Sequence, residues 1–84
     1  MKLIWSERSW AEYVDLQNTD KKLLKKINQL IKDIKRDPYS GISKPEPLKH
    51  ELQGCWSRRI TDEHRLVYEF NDFSVSIVSC KYHY

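Results

Sequence analysis

The spacing of the apolar residues changes once along this chain, and that change constrains the fold more than any other feature. Before Asp37-Pro38 the apolar residues recur at helical spacing, in one stripe made of Leu23, Leu24, Ile27, Leu30, Ile31 and Ile34. Proline ends the pattern because it lacks a backbone N–H and disfavours helix at the residue before it. Beyond a loop at residues 37–53 the alternation has a period of two, which is typical of strands.

Upstream of this stripe the sequence predicts one strand and one shorter helix. Lys2 to Trp5 is apolar enough for a short strand, and Ser6 is a residue type that caps helices at their N-terminus. We expect a first helix over about residues 7–16. Asn18-Thr19-Asp20 then predicts a break and the cap of the second helix.

The C-terminal part predicts three strands. Apolar and polar residues alternate over 56–60 and again over 65–70, and Asn71-Asp72 predicts a two-residue hairpin turn. In the last strand the apolar residues change parity: they are first Phe73, Val75 and Ile77, and then Val78, Cys80 and Tyr82. A β-bulge and a strand buried on both faces would each explain the change, and the sequence leaves both open.

The predicted order of elements is therefore β-α-α-β-β-β, within a single domain of residues 1–84. Consecutive strands joined by tight turns form antiparallel sheets, and amphipathic helices cover one face of such a sheet. We expect an α+β fold in which two N-terminal amphipathic helices pack on one face of an antiparallel sheet. The opposite face is then available for a functional site.

Composition and motifs limit the classes of protein to which this chain can belong. The net charge of +3 fits a nucleic-acid partner without requiring one. No signal peptide or membrane-spanning run is visible, so we expect a cytoplasmic protein with no membrane contact. Cys55 and Cys80 fit no metal pattern and predict two reduced thiols, with one disulfide as the alternative. The sequence has no glycine-rich phosphate loop, HExxH motif or paired acidic metal site, so no metal or cofactor is expected.

Some polar residues occupy positions that suggest a site. Arg59 and Arg65 have the parity that points away from the helices, and they share a face if the intervening turn keeps the register. Glu46 lies between two prolines that keep its segment extended. His83 follows an apolar strand and is held firmly if that strand enters the sheet. A solvated sheet face, a rigid connecting loop and a loose aromatic tail remain the plainer interpretations.

These residue types suffice to cleave RNA without a metal ion. The RNA's own 2′-hydroxyl can attack the adjacent phosphorus when a base takes its proton, an acid protonates the departing 5′ oxygen and cations stabilise the charge. Glutamate and histidine suit the first two roles, and arginine suits the third. Trp56, Tyr82 and Tyr84 could stack on a base.

The whole chain resembles the YoeB toxins of the RelE/ParE superfamily. No single motif is specific, but several occur together: the opening Met1-Lys2-Leu3-Ile4-Trp5-Ser6, the proline-flanked Lys44-Pro45-Glu46-Pro47-Leu48-Lys49-His50, Gly54, Trp56-Ser57-Arg58-Arg59-Ile60-Thr61, Glu63-His64-Arg65-Leu66-Val67-Tyr68 and the final Tyr82-His83-Tyr84. Two positions depart from the family pattern. Ser43 stands where a glycine is common, and Cys55 stands where an aromatic residue is common.

The resemblance implies a RelE-like, microbial-ribonuclease-like fold and an mRNA interferase that cuts the codon in the A site of the 30S ribosomal subunit. The roles it implies are Glu46 as general base, His83 as general acid, Arg65 as the group that stabilises the transition-state charge, Lys49 and Arg59 as phosphate-binding residues, and Tyr84 as the residue that positions the nucleotide.

The resemblance also implies partners. These are a YefM-type antitoxin, a second copy of the chain in a homodimer, the ribosome with its mRNA, and operator DNA bound by the toxin–antitoxin complex. The competing interpretation is a non-catalytic binding module, either a ParE-like gyrase inhibitor or a DNA-binding co-repressor. Glu46, Arg65 and His83 favour the nuclease, because a binding module needs no histidine at the penultimate position.

Overall fold

The structure is a computed structural model, and it describes residues 1–83. The element order follows the predicted one, with a short strand and a 3-10 turn added between the helices and the last three strands. The elements are β1 (Lys2–Trp5), α1 (Glu7–Thr19), α2 (Lys21–Arg36), β2 (Glu46–Pro47), a 3-10 turn (His50–Leu52), β3 (Trp56–Arg59), β4 (His64–Phe70) and β5 (Ser74–His83).

Side-chain caps fix the starts of both helices. The Ser6 hydroxyl accepts the backbone N–H of Ser9 at 3.0 Å, and an Asp20 carboxylate oxygen accepts that of Leu23 at 3.0 Å. α1 extends three residues beyond the predicted end, because Asp20 terminates α1 and also caps α2. α2 ends at Arg36, before Asp37-Pro38 as expected. Neither helix in the described part of the chain is long and apolar enough to cross a membrane.

The five strands form one sheet in the order β1-β5-β4-β3-β2. Strands β3, β4 and β5 pair antiparallel, as predicted, and β2 pairs antiparallel with β3, whereas β1 lies parallel to β5. A parallel pair needs a long crossover connection, and here the two helices provide it. β2 was not predicted because only Glu46 and Pro47 form it, within a segment expected to be a loop.

Two irregularities interrupt the pairing of β4 with β5, and the one at Val78 is a bulge that changes the parity of the last strand. Tyr68 pairs with Ile77 and Val67 with Ser79, so Val78 is an extra residue on β5. The bulge lets Val75, Ile77 and Cys80 all reach the core with no exposed surface. The connection from β4 to β5 spans residues 71–73, one residue longer than predicted, because the Asn71 side chain accepts the backbone N–H groups of both Phe73 and Ser74.

The core lies between the helices and one face of the sheet. Its fully buried members are Leu16, Ile27, Leu30, Ile34, Leu66, Tyr68, Val75, Ile77 and Cys80. Both cysteines are free and buried, as the sequence predicted. Burial raises the pKa of both thiols, to about 12 for Cys80, where Glu12 adds to the effect.

Candidate active site

Strand β3 brings three of the predicted site residues, Glu46, Arg59 and Arg65, to the sheet face away from the helices. Glu46 lies opposite Ser57, and Arg65 lies opposite Arg59. Residues that face each other across an antiparallel pair point to the same side of the sheet. The prediction that Arg59 and Arg65 share a face is therefore confirmed, and Glu46 joins them from the neighbouring strand.

An ion pair joins Glu46 to Arg65 across β3. Nη1 of Arg65 donates to Oε1 of Glu46 at 2.7 Å. The Arg65 side chain is only 12% exposed, while that of Glu46 is 47% exposed. Adjacent strands lie about 4.8 Å apart, so the arginine on β4 spans roughly 10 Å to reach β2. Arg65 thus holds one oxygen of the Glu46 carboxylate, while the rest of that side chain is open to solvent.

A cleft of about 640 Å³ opens beside this ion pair. Its walls combine the segment that follows Glu46 with the end of β5, and the lining residues are Glu46, Pro47, Leu48, Lys49, His50, Glu51, Leu52, Tyr82 and His83. Three predicted site residues, Glu46, Lys49 and His83, therefore border one cavity. Arg65 reaches it through the ion pair, Arg59 is not part of its lining, and Tyr84 lies outside the described residues.

His83 is part of the sheet rather than of a loose tail. It is the last residue of β5 and pairs with His64 on β4. The two imidazole rings meet edge to face, with centroids 6.0 Å apart. One residue earlier, the Arg8 guanidinium lies 5.5 Å from the centre of the Tyr82 ring. Contacts from β4 and α1 therefore hold the chain up to His83.

Arg58 is a structural part of the site that was not predicted from the sequence. Its side chain is completely buried, and all of its donor nitrogens are used. They donate to the Tyr68 hydroxyl, the Asp33 carboxylate and three carbonyls of the loop, those of Asp37, Ser40 and Ile42. Arg58 thus ties α2 and β4 to the loop that leads to Glu46. The sequence does contain an indication of this burial, because the charged Arg58 occupies the same face of its strand as the apolar Trp56 and Ile60.

Two residues of the same loop, shortly before Glu46, have left-handed backbone conformations. Ser43 has φ 64° and Lys44 has φ 52°. The carbonyl of Ser43 accepts the backbone N–H of Arg59 at 2.8 Å, which fixes the loop to β3. Glycine adopts this conformation without a steric penalty, so the glycine that the resemblance leads us to expect at position 43 would fit there better than Ser43 does.

The site combines a carboxylate, an imidazole and cationic groups beside a solvent-filled cleft. Such a set can accept a proton, donate a proton and bind phosphoryl oxygens. Within residues 1–83, His, Cys, Asp and Glu side chains form no group of three that could hold a metal ion.

Known structures show which class of protein has this fold. A YoeB/ParE toxin from Agrobacterium tumefaciens superposes with a TM-score of 0.95 at 46% identity, and both chains are covered in full. The YoeB dimer from Staphylococcus aureus gives a TM-score of 0.93 at 48% identity, covering 100% of this chain and 98% of that one. A heterotetrameric YoeB–YefM toxin–antitoxin complex from the same organism gives 0.91 at 48%, with the same coverage. The fold is therefore that of the RelE-like toxins, as predicted.

Sequence comparison narrows the class to one family. A family model for the YoeB-like toxin of bacterial type II toxin-antitoxin systems matches residues 5–84. Toxin YoeB of Escherichia coli (strain K12) is 63% identical over 84 residues, which covers both chains completely. The chain belongs to the YoeB-like toxin family and is a toxin of a type II toxin–antitoxin system.

Proposed function

We propose that this toxin is a ribosome-dependent endoribonuclease of the cytoplasm that cleaves mRNA at the A-site codon and so inhibits translation. The observation that carries the proposal is the Glu46–Arg65 ion pair at the wall of a cleft that Lys49 and His83 also border. A base, an acid and cations for a phosphate are the groups that attack by a 2′-hydroxyl requires.

In the proposed reaction Glu46 takes the proton of the 2′-hydroxyl, whose oxygen then attacks the adjacent phosphorus. The P–O5′ bond breaks, and His83 donates a proton to the departing oxygen. Arg65 stabilises the charge that develops on the phosphoryl oxygens, because its forked donors match them. The products are a 2′,3′-cyclic phosphate and a 5′-hydroxyl. The RNA supplies its own nucleophile, so the scheme requires no cofactor.

Three further residues complete the proposed site. Lys49 borders the cleft and Arg59 faces Arg65 across the sheet, so each can bind a flanking phosphate. Tyr84, beyond the described residues, is proposed to position the nucleotide by stacking, a sequence-tolerant way to hold an unpaired base. These three roles affect substrate placement more than proton transfer.

Helix α2 offers a surface for the large RNA of the ribosome. It carries seven basic residues, and only Asp33 among its own residues is acidic. Those on the exposed side are Lys21, Lys22, Lys25, Lys32, Lys35 and Arg36. Each basic group that neutralises a phosphate releases counterions, so binding through this surface weakens steeply with salt.

The proposed protein partners are a YefM-type antitoxin and a second copy of the toxin. Staphylococcal YoeB, 48% identical, has been solved both as a dimer and in a heterotetramer with YefM. We further propose that the toxin–antitoxin complex binds operator DNA. A toxin of this charge alone is attracted to any nucleic acid, so operator selection is assigned to the complex.

The test uses purified toxin and ribosomes programmed with a defined A-site codon, and it analyses the mRNA ends. We expect one cut inside that codon with a cyclic phosphate. Glu46→Gln should abolish cutting while ribosome binding is kept, and Glu51→Gln, in the same cleft, should cut normally. Intact mRNA with the wild-type toxin would instead favour gyrase inhibition or co-repression. Loss of binding and cutting together in Glu46→Gln would refute the general-base role.

A further inference from the structure

Ser57 carries the one buried side-chain polar atom that lacks a hydrogen-bond partner among residues 1–83. Its side chain has no exposed surface. The other fully buried serines differ, since the hydroxyl of Ser9 donates to the Ile77 carbonyl at 2.7 Å and that of Ser79 bonds to the Glu12 carboxylate. A buried hydroxyl without a partner loses its hydration and gains nothing in return, so such groups are rare in native proteins.

The position of this hydroxyl is the second observation. Ser57 lies directly opposite Glu46 on β2 and opposite Val67 on β4. All three side chains therefore point to the sheet face that carries the site. The Glu46–Arg65 ion pair crosses β3 on that face, from β4 to β2. The unpartnered hydroxyl thus lies beneath the pair and next to the carboxylate proposed as the base.

A substrate phosphate competes with Glu46 for the N–H donors of Arg65, and in the proposed reaction its charge draws the guanidinium away from the carboxylate. Glu46 would then be a half-exposed carboxylate on a two-residue strand, without the contact that fixes it. Another donor on the same face would restore its orientation, and Ser57 is the nearest by register.

We propose that Ser57 is a positioning residue: its hydroxyl donates to the Glu46 carboxylate when Arg65 turns to the substrate phosphate. The inference rests on the ribonuclease function proposed above and adds a residue to that site. In the free protein Arg65 orients Glu46, and in the substrate complex Ser57 does. Because the Ser57 hydroxyl has no hydrogen-bond partner in the free protein, it is available to Glu46 when the ion pair opens.

The test compares Ser57→Ala with Ser9→Ala, which also removes a fully buried serine hydroxyl but on α1, at a residue that does not line the cleft. Three quantities are measured for each variant and the wild type: the melting temperature, the affinity for ribosomes with a 2′-deoxy A-site nucleotide, and the single-turnover cleavage rate at saturating ribosomes. The deoxy substrate binds but cannot be cut, so binding and chemistry are separated.

For Ser57→Ala we expect a melting temperature equal to or above that of the wild type, unchanged affinity and a cleavage rate lower by about tenfold, the loss of one hydrogen bond to a charged group. Ser57→Cys keeps a weak donor, so its cleavage rate should lie between those of Ser57→Ala and the wild type. Ser9→Ala should lose stability but cleave at the wild-type rate.

Two results would overturn the inference and keep the proposed function. The first is a Ser57→Ala variant that cleaves as fast as the wild type. The second is a Ser57→Ala variant whose loss of rate accompanies a lower melting temperature, of the size expected for Ser9→Ala. Wild-type toxin that leaves the programmed mRNA intact would overturn both proposals.

Discussion

Asp33 and Arg58 are joined by an ion pair of 2.6 Å between Oδ2 and Nη1, although they lie 25 positions apart in the sequence. The arginine side chain has no exposed surface and that of the aspartate is 16% exposed. Asp33 also accepts the backbone N–H of Ile42 at 3.1 Å. Together the two residues connect α2, β3 and the loop before Glu46, so the geometry of the site depends on a contact that is not itself in the cleft.

Removing the Arg58 guanidinium should therefore destabilise the protein strongly. We expect Arg58→Met to lower the free energy of unfolding by about 3 kcal/mol or more, because buried acceptors lose their donor. Arg36→Ala is the matched control: Arg36 pairs with the same Asp33, but its side chain is 61% exposed, so the cost should stay below about 1 kcal/mol. Urea unfolding measures both, and similar midpoints for the two variants would contradict the anchoring role.

The same pair predicts an acid-sensitive fold. The hydrogen bond from Arg58 lowers the pKa of Asp33 below its ordinary 3.8, against the opposing effect of burial. A carboxyl group with a lower pKa in the folded state stabilises the protein above its unfolded pKa, and this contribution is lost as the pH falls through the folded pKa. Asp33→Asn should be less stable near neutral pH, with a shallower decline toward about pH 3. Urea midpoints across this range provide the measurement; parallel profiles for the two proteins would refute the assignment.

Two glycines allow a test of the loop. A Cβ at Gly41 would overlap the Asp33 carboxylate, whereas one at Gly54 would meet open space. Both have positive φ, 138° and 96° respectively, so Gly54→Ala should show backbone strain alone, about 1 kcal/mol. Gly41→Ala should lose clearly more, about 3 kcal/mol, because it also displaces the partner of Arg58. Thermal or urea unfolding distinguishes the two, and an equal loss would show that Asp33 moves at little cost.

Two histidines of the cleft should differ in function. His83→Asn removes the proposed proton donor and should slow cleavage by at least about a hundredfold. His50→Asn changes the same cleft at a left-handed position, φ 58°, which asparagine tolerates, and it should cleave nearly as the wild type does. The readout is single-turnover cleavage on programmed ribosomes. Normal activity of His83→Asn would exclude His83 as the acid.

Sequence patterns predicted those features of the fold that depend on residues close together in the chain. The stripe from Leu23 to Ile34 predicted α2, and strand parity predicted that Arg59 and Arg65 share a face. Pairings between distant segments were not predictable from local patterns. The parallel contact of β1 with β5, the short β2, and the burial of Arg58 under a loop all depend on segments far apart in the sequence.

The place of β5 in the sheet has a consequence for synthesis. Strand β5 comes last in sequence order among the strands of residues 1–83, yet it lies between β1 and β4, and Lys2 of β1 pairs with Ser74 of β5. Chains grow from the N-terminus, and such long-range pairings form late. A chain that stops before β5 cannot close its sheet, because β1 and β4 then lack the strand that pairs with both of them.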